Sequence, residues 1–176
     1  MKAKVLTYGS PTLRKHAEDV SDFSSELVKN LFDTLAVEGG IGLAAPQIGV
    51  LQRVFIISTE PLADDDSSVE SFKRVVINPE ITEVSKEISM YNEGCLSIPE
   101  LFEMVERPKS IRVRYFDENM NEICRQIDGI EARIFQHEYD HLEGILFVDR
   151  ISPIRKAIIA NKLKRLHRIS KNAKRG

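Results

Sequence analysis

Apolar and polar positions alternate with two different periods along the chain. In 24–37, SSELVKNLFDTLAV, the leucines Leu27, Leu31 and Leu35 fall four apart behind two serines that can cap a helix start. The pattern predicts an amphipathic helix ended by Gly39-Gly40. RVFIIS (53–58), RVVINPEI (74–81) and SIRVRYF (110–116) are rich in β-branched and aromatic residues, and the last alternates clearly, so all three read as strands. NEICRQ reads as a strand edge with Cys124 an ordinary apolar position. EPLADDDSSVES, between the first two strands, is acidic and polar and reads as an exposed loop. GIEARIFQHEYDHLEG predicts a second helix opened near Gly129 and closed near Gly144, and Pro153 suits the first turn of a terminal helix to about residue 170.

Helices and strands without regular alternation point to an α+β fold, with mixed and mostly antiparallel sheets packed around the 129–144 helix and helices near both ends. A length of 176 residues is ordinary for one domain, and no internal repeat divides it. Residues 1–152 are expected to form the catalytic part, with 153–176 a basic helix and tail of the same domain. The net charge of −2 conceals segregation. Residues 151–176 hold nine of the 25 Lys and Arg and none of the 27 acids, and Ile154, Ile158 and Ile159 are expected to dock that helix on the body. The start of the chain has no apolar run of signal-peptide type and no stretch is long enough to span a bilayer, so a cytoplasmic protein without membrane association is expected. A reducing compartment disfavours a Cys95–Cys124 disulfide and frees either thiol to act as a ligand.

The candidate chemistry centres on His137-Glu138-x-x-His141. Histidines four apart leave one helix face a turn apart and can share an ion, while Glu138 can hold a water at the edge of the site without being a ligand. A hydrolytic site of this kind needs a third ligand and one open position. Downstream the options are poor: Phe147 stands where an extended motif has its third histidine, and Asp149 is close to the helix end. His16 and His167 read as solvated or half-buried. Upstream, EGCLSIP (93–99) offers Cys95 on extended backbone, giving His₂Cys, with Cys124 as its competitor. In EGGIGLAAPQIG (38–49), Gly40, Gly42 and Ala45 match G-x-G-x-x-A literally, but the segment follows a helix and leads into a strand, the reverse of a dinucleotide site. Its glycines allow close backbone approach to a ligand and Gln47 adds an amide, although a plain helix-to-strand turn accounts for the segment equally well.

Taken together, GIGLAAPQ (40–47), EGCLS (93–97) and QHEYDH (136–141) resemble the three signature motifs of the peptide deformylases, over essentially the whole chain. H-E-x-x-H alone is common among metal hydrolases, whereas the three in this order are specific. The resemblance implies a divalent metal on Cys95, His137 and His141, iron(II) in the cell and replaceable by zinc, nickel or cobalt in a purified sample. It implies hydrolysis of the formyl group from the N-terminal formyl-methionine of nascent peptides, with Glu138 as the base and the Gln47 amide and Leu96 N–H as oxyanion donors. It further implies a methionine pocket from Ile41, Ile130 and Ile134 near Gly42, with Gly94 also contacting substrate, and a ribosome contact through the C-terminal helix. Phe102 departs from the arginine that many bacterial relatives carry at about that place. Two other readings share some of these residues: a zincin-like endopeptidase, and an inactive ribosome- or RNA-associated protein.

Overall fold

The computed structural model describes residues 2–172, so Lys174 and Arg175 of the basic tail lie outside the described residues. Helix α1 spans Ser25–Glu38, its Ser24 side chain accepting the Leu27 N–H and Gly39 ending it in the left-handed region at φ 73°. Strand β1 (Gly42–Ala44) pairs with β2 (Val54–Ser58), and a 3₁₀ turn at Ala45–Ile48 joins them. The expected acidic loop is in part a short helix, α2 (Glu60–Asp65). Pro61 suits its first turn, and the Thr59 hydroxyl at its base donates to Glu70 O and accepts from Phe72 N–H, closing the excursion.

Strand β3 (Lys73–Val84) is longer than its apolar run, because it continues past Asn78 beyond a register shift. Asn78 adopts φ 48° and exchanges two 2.8 Å hydrogen bonds with the Val20 backbone. A hairpin of β4 (Ile88–Cys95) and β5 (Ile98–Pro108) follows, then β6 (Ser110–Phe116) and β7 (Glu122–Asp128). β1, β2, β3, β6 and β7 form one sheet in that order, and β4 and β5 form a second. Every ladder between these strands is antiparallel, and the one parallel contact described is an isolated bridge from Glu18 to Gln52. β7 lies at the sheet edge as expected, but Cys124 on it is exposed, because it shares the outer face with Glu122 and Gln126 while Ile127 turns inward.

Helix α3 (Gly129–Leu142) packs on the large sheet. Phe135 is buried edge-to-face against Phe55 at 5.0 Å, and burial of such a ring is worth about 1.5–3 kcal/mol. Helix α4 (Pro153–Asn172) docks through Ile159, Leu163 and Leu166 onto Leu13, Ile98, Val105 and Phe147. Of the three isoleucines expected to dock, only Ile159 does so; Ile154 and Ile158 are exposed. The inner stripe runs 159, 163, 166, and positions 154 and 158 fall off it.

Candidate metal centre and active site

α3 brings His137 and His141 to one side, with ring centroids 5.1 Å apart. The end of β4 delivers Cys95 beside them, its Sγ 3.3 Å from His141 Nε2. The three donor atoms lie within 4.8 Å of one another, and among the described residues no fourth His, Cys or carboxylate joins the group. Two imidazoles, a thiolate and an open position fit a hydrolytic metal site. Cys124, Asp149, His16 and His167 are not members. Asp149 accepts from Leu146 N–H and Lys156, His16 contacts Glu143, and His167 lies half-buried against Gly9. Phe147 stacks on the His137 ring at 6.2 Å.

Glu138 is buried beside the triad with Oε2 lacking any partner. Burial raises its carboxyl to about 7. A buried carboxyl oxygen without a partner is costly, and such groups concentrate at functional sites. Gly42 is needed next to it, since a Cβ there would stand 2.5 Å from Glu138 Oε1. Gln47 is buried and fixed in orientation: its Oε1 accepts the Ala44 N–H at 2.8 Å. That leaves Nε2 donating to Ser97 Oγ at 3.2 Å and facing Cys95 Sγ at 3.6 Å.

Around this centre lies a network of buried charges that hydropathy does not reveal. His137 Nδ1 lies 2.9 Å from Glu93 Oε2, and Glu93 also accepts two N–H groups of Arg107 and one of Arg133. Arg107 and Arg150 in turn hold Asp140 on α3. Burial alone would raise the Glu93 carboxyl, but His137 and Arg107 hold it well below the usual range. Burial works against charge on both imidazoles. Contacts with Cys95 and Glu93 overcome it at His137, whereas His141, facing the charge of His137, is pushed well below its ordinary value. Only position pointed to these residues: Glu93 is two before Cys95, and Arg133 and Asp140 lie one turn either side of His137.

A cleft of about 570 Å³ opens on the centre, and Ile41, Gly42, Gly94, Leu96, Ile130 and Ile134 line it. The family profile described as Polypeptide deformylase matches residues 2–157. The chain belongs to the polypeptide deformylase family. It is 43% identical over 169 residues to a peptide deformylase of Christiangramia forsetii, covering 90% of this chain and 86% of that relative. Identity to a Pseudothermotoga lettingae peptide deformylase is 45% over 166 residues, 93% of this chain and 91% of the other. Among solved structures, the fold matches the Plasmodium falciparum peptide deformylase with a TM-score of 0.87 at 35% identity, covering 96% of this chain and 98% of that one. A plant peptide deformylase matches with a TM-score of 0.88 at 32% identity, over 97% and 92% of the two chains.

Proposed function

We infer that the protein is a metal-dependent hydrolase that removes the formyl group from the N-terminal formyl-methionine of newly made polypeptides, releasing formate. The observation carrying this reading is the convergence of Cys95, His137 and His141 beside the buried Glu138, whose Oε2 has no partner, at the wall of the cleft. Cys95 Sγ, His141 Nε2 and the His137 nitrogen turned away from Glu93 would hold the ion, iron(II) in the cell, with zinc, nickel or cobalt able to replace it on purification. When bound, a divalent ion there acidifies water and polarises the formyl carbonyl.

The chain's own residues supply the remaining steps. Glu138 takes a proton from the attacking water, and a carboxyl raised to about 7 is matched to that task at neutral pH. The Gln47 amide, with its oxygen already engaged on Ala44, can only donate toward the cleft, and the Leu96 backbone N–H is assigned as the second donor to the developing oxyanion. Ile41, Ile130 and Ile134 enclose the methionine side chain, and the missing side chains of Gly42 and Gly94 admit the substrate backbone. Glu138 then returns its proton to the leaving nitrogen as the C–N bond breaks, leaving formate and a free amino terminus. No covalent intermediate with the protein is needed.

Formate release from formyl-Met-Ala-Ser by metal-loaded and chelator-stripped protein tests this reading. Activity that needs the metal supports it, and a loaded protein that releases no formate overturns it. On this reading the enzyme works in the cytoplasm and at the ribosome. No described helix is long and apolar enough to cross a membrane. On α4, Lys164, Arg165, Arg168 and Lys171 are exposed with no ion pair among the described residues, a set suited to phosphate. Because Leu163 and Leu166 help anchor α4, charge reversal of those four residues is a cleaner test than truncation. Ribosome co-sedimentation at low salt should weaken in the reversed variant, and unchanged binding would return the helix to a merely solvated role.

A further inference from the structure

The outer face of the β4–β5 hairpin borders a second cavity, about 490 Å³, between the hairpin and the start of α4. Met90, Phe102 and Met104 line it and are 52%, 63% and 50% exposed. Asn92 and Phe102 also line the catalytic cleft, so the two cavities share a wall. The arginines at its rim are already engaged, Arg155 with Glu103 and Arg150 with Asp140. Glu106, opposite Met90 on the hairpin, has no ion pair among the described residues. What remains is a trough whose apolar lining is Met90, Phe102, Met104 and Ile151, interrupted by Asn92, Ser152 and one unmatched acid, running away from the reacting centre along β4.

We propose that this trough holds apolar side chains of the substrate polypeptide beyond its formyl-methionyl end, so that longer substrates with apolar residues at about the fourth and fifth positions are preferred. The inference rests on the deformylase reading above. Continuity with the cleft identifies the occupant: a chain whose formyl end lies at Cys95 and whose body leaves past Phe102 enters the trough directly. Met90 lies five positions before Cys95 on β4, roughly 17 Å at about 3.3 Å per residue, which an extended substrate covers in about five residues. An exposed apolar surface beside a cleft marks a binding face, and apolar side chains gain by covering the two methionines.

The test compares kcat/KM for formyl-Met-Ala-Ser, formyl-Met-Ala-Ser-Leu-Leu-Ser and formyl-Met-Ala-Ser-Asn-Asn-Ser, in the wild type and in the double variant Met90→Ser/Met104→Ser. Both methionines are exposed and lie outside the catalytic cleft, so the variant should treat the tripeptide as the wild type does. The leucine hexapeptide is expected to exceed the asparagine one by about tenfold, mainly through KM, and the double variant to reduce that ratio below about twofold. Equal use of the two hexapeptides by the wild type, or a ratio that survives in the variant, overturns the inference. So does a wild-type dimer in solution that the variant abolishes, since a second copy would then be the occupant. Absence of formate from the tripeptide would instead overturn the deformylase reading, and this inference with it.

Discussion

Strands β5 and β6 follow one another in the chain, and both alternate between core and solvent, but β5 buries charged side chains among its apolar ones whereas β6 buries none. β6 alternates in the ordinary way, with Ile111, Val113 and Tyr115 in the core and Arg112 and Arg114 in solvent. β5 buries Glu103 and Arg107 alongside Leu101 and Val105, and leaves Phe102 and Met104 outside. Its partner β4 does the same with Glu93 inside and Met90 outside. Burying ions costs several kcal/mol each unless partners compensate, so a hairpin built this way is a poor way to gain stability. Its gain is orientation: Glu93 and Arg107 set the His137 ring and tie α3 to β4, while Met90, Phe102 and Met104 are left exposed on the outer face. The large sheet holds the fold together, and the hairpin aims the site.

The largest expected effect separates chemistry from aiming. Glu138→Ala should retain metal, because the ligands and the hairpin behind them are untouched, and lose about 10²–10⁴ in turnover. Loss of metal in that variant would make Glu138 a ligand. Next comes the hairpin itself. Glu93→Gln removes the carboxylate that Arg133 pairs with and one of the two that hold Arg107, so stability should fall by about 3–5 kcal/mol. Metal affinity should fall about 10–100-fold with it. The matching change in β6, Ile111→Ala, should also cost about 2–5 kcal/mol in denaturant unfolding, yet leave metal per folded chain unchanged. Equal metal loss in the two variants would erase the distinction between scaffold and aiming strand.

The smallest effect concerns a half-buried ion pair of the usual kind. Burial pushes the Asp149 carboxyl up, but Arg14, the Leu146 N–H and Lys156 outweigh it and hold the pKa below its ordinary value. Its folded pKa being the lower one, this contribution is present above about pH 4 and is lost as the pH falls toward the folded value. The Tm difference between wild type and Asp149→Asn should therefore be steady near neutrality and shrink in acid. A difference that grows in acid would reverse the assignment.

The same contrast explains what was legible in the sequence. SIRVRYF shows β6 at once because its alternation matches its burial, and α1 reads correctly from its leucines and its caps. The β4–β5 hairpin left no period-2 signal, since hydropathy assumes that charges face water. The triad was legible through the spacing of its three motifs, with Cys95 offering a ligand where the downstream residues did not. Glu93, Arg107 and Arg133 were not, because their role depends on partners far away in sequence. Ile154 and Ile158 misled because helical spacing groups residues on a face without saying which face turns inward.

Metal content per chain, measured in the wild type, Cys95→Ala and Cys124→Ala with folding checked by circular dichroism, bears most directly on the claim that the end of β4 completes the centre on α3. The wild type and Cys124→Ala should hold close to one equivalent of metal, and Cys95→Ala should hold little. Equal metal in the two cysteine variants would contradict the assignment of Cys95 as the third ligand.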